Sequence, residues 1–470
     1  MTILFLLPLI GAVALLFVPS KKWALSFSVL TLFESIRLFL AFDKKSSEFQ
    51  FVIKYCWFNK DIAFGIDGIS IYFVLLTTLL IPICIMVSWD SIRHLTRQFF
   101  FSLLLIEWLL IAVFTVMDVF GFYVFYEGVL IPMFYIIGVW GAREQKITAA
   151  YYFFFYTLLG SVLMLVSILF IFSITGTTDY TSLLGYDLSD KVQKIIFLGF
   201  FASLAVKLPS FPFHIWLPLA HVEAPVAGSV LLAGVLIKLG SYGLIRFSLG
   251  LTPVACEYFA PFVYTLSILG VIYASITTIR QTDLKRIIAY SSVGHMGIVT
   301  IGIFTFNLEG IQGSIFLQLA HGIVSSALFI VVTLLYERFH TRIVKYYRGI
   351  TVTMPIYSSL FLIFTMSNIG VPGTSNYIGE ILALTGAMDD NFIVAFFAAI
   401  GMVLSASYGL FLFNRVCFGG LSSYMLTAPR DVSRREFFIL MPLAILTIVL
   451  GIWPGLILDT IEASVLVLVK

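Results

Sequence analysis

The chain has 470 residues, of which 60% are hydrophobic and only 11% charged, with a formal net charge of +3. A soluble globular domain carries about a quarter of its residues as charges, so that class is excluded, and the small net charge argues against a nucleic-acid partner. Runs of about 18–20 apolar residues, each long enough to cross a bilayer, follow one another almost end to end.

Taken in chain order, the apolar runs predict an all-α polytopic membrane protein of about fourteen spans. They lie near 2–18, 23–41, 69–88, 99–117, 119–140, 148–174, 193–218, 225–247, 258–279, 285–305, 311–336, 354–387, 391–414 and 436–460. The first, "MTILFLLPLIGAVALLFVPSKKW", has no basic stretch ahead of it and no small-residue cleavage site, and reads as a retained membrane helix rather than a signal peptide. No Arg-rich targeting presequence is visible. The stretch 42–66, with its alternating "FQFVIKYCWF", reads as a hairpin outside the membrane. The four cysteines, Cys56, Cys84, Cys256 and Cys417, form no CxxC pair and read as packing residues.

Basic residues sort the loops. Seventeen, Lys285 and Arg342 among them, fall after the odd-numbered spans, and eight, including Arg246 and Lys470, fall on the other side. Because Lys and Arg are retained on the cytoplasmic or matrix side, both termini are expected on the outer side.

Two spans are interrupted, the seventh at "KLPSFPF" and the twelfth at "SNIGVPGTSNYIGE". Unwound backbone survives at membrane depth only where protein buries it or a hydrated cavity meets it. The breaks are five spans apart, an odd offset that reverses orientation, so spans 4–8 and 9–13 read as two inverted repeats, the arrangement that marks transport sites. The expected segments are residues 1–98 (spans 1–3 and the hairpin), 99–248 (first repeat), 249–415 (second repeat) and 416–470 (loop and last span).

Charges inside the spans are few: Glu34, Arg37, Glu107, Glu127, Lys207, Lys238 and Glu380, with His295 and His321 on neighbouring spans. Glu34 and Arg37, at i and i+3, suit a mutually neutralising pair, and Glu107 leaves structural and functional readings open. Glu127, Lys207, Lys238 and Glu380 are harder to assign to structure alone, because each is costly in a bilayer. Burial disfavours an ammonium while a carboxylate nearby favours it, so a Glu–Lys pair can capture or release a proton as the two approach or part. His295 and His321 can bridge Lys238 and Glu380 through water. His214 and His221 are candidates for the lining of a proton entrance. No GxGxxG, GxxxxGK[ST] or HExxH motif and no cysteine cluster is present, so neither a nucleotide nor an electron carrier is expected on this chain.

The stretches "FGIDGISIYF", "VFYEGVLIPMFYIIGVWG", "KLPSFPFHIWLPLAHVEAPVAGSVLLAGVLIKLGSYGLIR", "QTDLKRIIAYSSVGHMGIV" and "NIGVPGTSNYIGE" together resemble the antiporter-like family of respiratory complex I over nearly the whole chain. The resemblance implies a fourteen-helix proton-pumping module of the membrane arm in the mitochondrial inner membrane, or in a bacterial plasma membrane. It matches Glu127, Lys207, Lys238 and Glu380 to the family's relay, Glu380 standing where a sister subunit has lysine. It implies partners among the other membrane-arm subunits, the lateral helix of one antiporter-like neighbour, and lipids. FMN, iron–sulfur clusters and ubiquinone would belong to the complex, with none in this chain. A subunit of a multi-subunit cation/proton antiporter is the competing reading. Against the resemblance, a shorter N-terminal region than some relatives carry and an end soon after the last span are expected.

Overall fold

Without water to satisfy peptide groups, an apolar run buried in hydrocarbon must close its hydrogen bonds within itself, and the helix is the form that does so. The computed structural model describes residues 1–18, 20–57, 60–420 and 430–469, apart from the side chains at 56, 57, 60 and 61, so the Cys56 side chain, the Lys60 side chain and Lys470 lie outside the described residues. The chain is an all-α polytopic membrane protein with one small hairpin. Eleven helical spans among the described residues are long and apolar enough to cross a membrane.

In order, α1 (Thr2–Phe17) and α2 (Lys21–Leu40) lead into the antiparallel strands β1 (Gln50–Trp57) and β2 (Lys60–Ile66). Then come α3 (Ser70–Val87), α4 (Thr96–Thr115), α5 (Val119–Gly128), α6 (Leu130–Trp140), α7 (Lys146–Thr175), the short α8 (Tyr180–Leu183), α9 (Asp190–Lys207) and α10 (Trp216–Glu223). The next span runs from Val226 to Leu249 as α11 (Val226–Leu231), a π turn (Leu232–Leu236), α12 (Ile237–Gly243) and a second π turn (Leu244–Leu249). It is followed by α13 (Pro253–Arg280), α14 (Leu284–Ile303), α15 (Leu308–Phe339), α16 (Ile350–Thr353), α17 (Pro355–Ile369), α18 (Ser375–Asp390), α19 (Phe392–Cys417), α20 (Arg434–Ile452) and α21 (Gly455–Leu468).

The hairpin expected at 42–66 is present. It docks on the end of α4, where Phe64 bridges to Val116 and the Met117 amide donates to the Ala63 carbonyl at 2.9 Å. The Val226–Leu249 span and α15 are buried along their whole apolar windows and form the centre, whereas the windows of α2, α7, α19 and α20 are less than half buried and present the protein's outer wall. Both expected interruptions occur, between α9 and α10 and between α17 and α18.

Several details differ from the sequence reading. The seventh span runs past 218 to Glu223, and the last breaks at Trp453–Pro454 rather than running unbroken from 436 to 460. Pro454 has no amide hydrogen to continue the ladder, so a separate helix begins after it. Arg246, Lys285 and Arg342, taken as loop cations, are buried at 8%, 5% and 1% exposure. Each lies near a span end, where apolar counting cannot tell a solvated charge from a partnered one. Arg246 pairs with buried Asp67 and faces the rings of Phe49, Tyr180 and Tyr242. Lys285 Nζ donates to the Ala224 carbonyl at 2.9 Å, and Arg342 donates to the Val222 carbonyl. Those two cations occupy the C-terminal end of α10, where carbonyls lack helical partners and the helix dipole favours positive charge.

Candidate functional site

The first interrupted region begins with Glu127, the penultimate residue of α5. Pro132, four residues beyond Gly128, cannot donate to its carbonyl, and the helix is interrupted at Val129. Lys207, the last residue of α9, is 1% exposed. Its Nζ stands 3.9 Å from the centroid of the Tyr126 ring and 3.5 Å from the Tyr126 carbonyl oxygen. Lys207 and Glu127 are not in ion-pair contact, and Oε1 of Glu127 is buried without a hydrogen-bond partner among the described residues. The lysine is thus held by the residue that precedes the carboxylate. The freed carbonyls at the end of α9 are taken up locally: Ala205 accepts from the Ser210 amide and hydroxyl, both at 3.0 Å, and Val206 accepts from the Trp216 indole at 2.9 Å.

The centre is built on Lys238, which follows the first π turn. Its Nζ donates to the Ala233 carbonyl of that turn and lies 3.1 Å from Nδ1 of His321 on α15. The other ring nitrogen of His321 is 3.1 Å from the Ser292 hydroxyl of α14. Gln318, one turn before His321, accepts from Ser241 at 2.6 Å. His295, one turn after Ser292, brings its ring centroid to 5.3 Å from that of His321. Among the described residues no hydrogen bond joins Lys207 to Lys238. The two lysines belong to adjacent elements, α9 and α12, which pack at Gly240: a Cβ there would strike the Leu204 carbonyl.

Glu380 sits in the second turn of α18, 1% exposed, with Oε1 2.9 Å from Nδ1 of His295. The two atoms are in ion-pair contact but not aligned as a hydrogen bond, and each lacks a hydrogen-bond partner. Oε2 points the other way, occupying the space that a Cβ on Gly370 would need. Gly370 has φ +80, a left-handed value that L side chains rarely adopt, and it ends α17.

The sequence-predicted residues therefore fall into two groups. Lys238, His321, His295 and Glu380 form one line across α12, α15, α14 and α18, while Glu127 and Lys207 form a separate site around Tyr126. Glu34 and Arg37 form the expected pair, with contacts of 2.6 and 2.8 Å. Glu107 accepts from Thr31 of α2 at 2.5 Å. His221 is buried, stacks on Phe329 at 4.6 Å and has no hydrogen-bond partner on either ring nitrogen, and His214 lies within the first break, its ring stacked on Phe211. Sequence reasoning missed Tyr126, Ser292, Gln318 and Ser241. A glutamine inside the apolar "IFLQLAHGIV", one turn from a histidine, was the available signal.

These features define a polytopic all-α membrane protein built around interrupted helices and a buried line of titratable side chains. A model of the family "NADH:quinone oxidoreductase/Mrp antiporter, TM" matches residues 116–405. The chain is 50% identical to NADH-ubiquinone oxidoreductase chain 4 of Metridium senile, covering 99% of this chain and 97% of that one. It is 52% identical to the chain 4 of Chondrus crispus, covering 98% and 95%. Among solved structures, a chain of respiratory complex I from Thermus thermophilus with bound NADH superposes with a TM-score of 0.92 at 28% identity, covering 100% of this chain and 99% of that one. A chain of the Mrp complex from Dietzia sp. shares the fold, with a TM-score of 0.86 at 19% identity, covering 100% and 98%. The chain belongs to the NADH:quinone oxidoreductase/Mrp antiporter membrane family. Among its described residues, no group of three or more His, Cys, Asp or Glu is arranged to hold a metal ion.

Proposed function

We propose that the chain is a proton-translocating membrane-arm subunit of NADH:ubiquinone oxidoreductase, with quinone reduction taking place in other subunits. The observation that carries this reading is the line from Lys238 through His321 and His295 to Glu380, with contacts of 3.1 and 2.9 Å at its two ends. The relatives' names supply the redox partner reaction. In this reading the Glu127 carboxylate favours the proton on Lys207 as the two approach and disfavours it as they part, and the proton then passes through water to Lys238. His321 accepts a proton from Lys238 at Nδ1 and gives one from Nε2, by way of the Ser292 hydroxyl, to His295, which delivers one from Nδ1 to Oε1 of Glu380. A histidine relays by taking a proton on one ring nitrogen and losing it from the other.

We further infer fourteen membrane-spanning segments with inverted repeats at 99–248 and 249–415, preceded by 1–98 and followed by 416–470. The module sits in the mitochondrial inner membrane with both termini on the outer side, beside other antiporter-like subunits and the lateral helix of one of them. A cation/proton antiporter subunit remains the second reading, favoured by the likeness to the Mrp fold.

The test is proton uptake driven by NADH oxidation in sealed vesicles. Glu127→Gln is expected to suppress uptake strongly and Glu127→Asp mildly, because Asp keeps the charge that favours the ammonium. Equal severity would make Glu127 a packing residue and remove it from the relay.

A further inference from the structure

Tyr126 and Glu127 are adjacent at the end of α5, so their side chains leave the helix about 100° apart. The ammonium of Lys207 stands with the tyrosine. Its Nζ is 3.9 Å from the ring centroid, well inside the distance of about 6 Å at which a cation is drawn to the negative face of an aromatic ring. Ring and lysine are each 1% exposed, and such contacts strengthen when water is removed. Lys207, Lys238 and Lys285 are the buried lysines among the described residues, and of these only Lys207 faces a ring.

The ring is fixed before the ammonium reaches it. Its hydroxyl lies 3.3 Å from the Ser203 hydroxyl and 3.4 Å from the Ser203 carbonyl oxygen. Ser203 precedes Lys207 by one turn on the same face of α9, so the tyrosine lies along that helix, with its tip at one turn and its face at the next. Phe122, one turn earlier on α5, packs against the ring at 5.4 Å and is itself packed on Phe247 at 4.5 Å. Glu127 is only half-buried, and its Oε1 has no hydrogen-bond partner. One α5 residue thus holds the ammonium, and the next has an acceptor free to take it.

We propose that Tyr126 is a positioning residue for Lys207, its ring face being the place where the ammonium rests when parted from Glu127. A neutral amine brings no charge to the ring, so this resting place favours the lysine that carries its proton. A carboxylate bears a full charge and draws the ammonium more strongly than a ring does at the same distance. The ring therefore keeps the charged side chain off the carboxylate without discharging it, and separation from Glu127 and release of the proton become two events. The part this plays in uptake rests on the proposed relay, whereas the resting place of the ammonium does not.

Tyr126→Phe and Tyr126→Leu in the whole assembly decide the matter, by cryo-electron microscopy and by proton uptake driven by NADH oxidation in sealed vesicles. Tyr126→Phe keeps the ring face, so Lys207 should stay over it and most of the uptake should remain. In Tyr126→Leu the Nζ of Lys207 should be found in ion-pair contact with Glu127, and uptake should fall about tenfold, the scale of a desolvated cation–ring contact. A ring that only fills space would leave the ammonium in place in Tyr126→Leu, and that result overturns the proposal. Equal loss in Phe and Leu would assign the effect to the hydroxyl and overturn it too. If native gels show that Tyr126→Leu does not assemble, Tyr126→Met, also ringless, is read with the same expectations. An ammonium moved onto Glu127 with undiminished uptake would overturn the part in uptake and leave the resting place standing. Normal uptake in Lys207→Met would instead overturn the relay itself.

Discussion

The two breaks use one backbone device in opposite senses. At the first, the titratable group precedes the break: Lys207 closes α9, so its ammonium sits at the negative end of a half-helix. At the second, the group follows the break: Glu380 lies in the second turn of α18, on the positive-end side of its half-helix. The first break repairs its own backbone, with Ser210 and Trp216 taking the freed carbonyls. The second leaves side-chain oxygens unpaired. A helix can therefore be opened either to fix a charged group in place or to expose polar atoms beside one.

The sharpest test of that contrast is Lys207→Met. Proton uptake is expected to fall by about a hundredfold or more, the scale on which a positioned proton-transfer group contributes, while assembly on native gels is retained. Undiminished uptake would mean that the first break holds no relay group. Glu380→Gln comes next and should block coupled turnover, whereas Glu380→Lys, which keeps a titratable group at the site, should keep partial activity. Quinone reductase rates of both variants check this, and a harmless Gln would take Glu380 out of the relay. Gly370→Ala should be milder, since it forces a side chain into a left-handed conformation at a cost of about 1–2 kcal/mol and also displaces Oε2 of Glu380. Its turnover should drop more than that of Gly419→Ala, a left-handed glycine beside Arg348 and outside the site. Trp216→Phe should have the smallest effect. It deletes the indole bond to Val206 at about 1 kcal/mol, read as a small fall in the assembly's melting temperature with proton coupling preserved.

The breaks were legible because proline removes a backbone donor and glycine loosens the chain, so "KLPSFPF" and "NIGVPG" cannot continue an apolar helix cheaply. The buried charges of the proposed relay were legible because each stands well inside a span. The convergence of Lys238, His321, His295 and Glu380 was expected in outline, although direct contact between His321 and Lys238 was not. Arg246, Lys285 and Arg342 were misread for the opposite reason. Their partners, Asp67, Ala224 and Val222, are brought to them by tertiary structure, in the case of Asp67 from 179 residues away. Two of those three partners are backbone carbonyls, which leave no trace in side-chain patterns. The π turns flanking Lys238 likewise carry no residue signature, since helix and π turn differ in one hydrogen-bond register.

Lys238 lies near the midpoint of the Val226–Leu249 span, and its ammonium is met by a carbonyl and an imidazole, with no carboxylate in ion-pair contact. Whenever it carries a proton it is an uncompensated point charge partway across an insulator. Moving one elementary charge through the full membrane is worth about 2.3 kcal/mol per 100 mV, so reaching this depth from either face is worth roughly half of that. A proton arriving from the positive side gains that energy, and one leaving toward that side must spend it. In the proposed relay the occupancy of the central lysine is accordingly a function of voltage as well as of proton concentration.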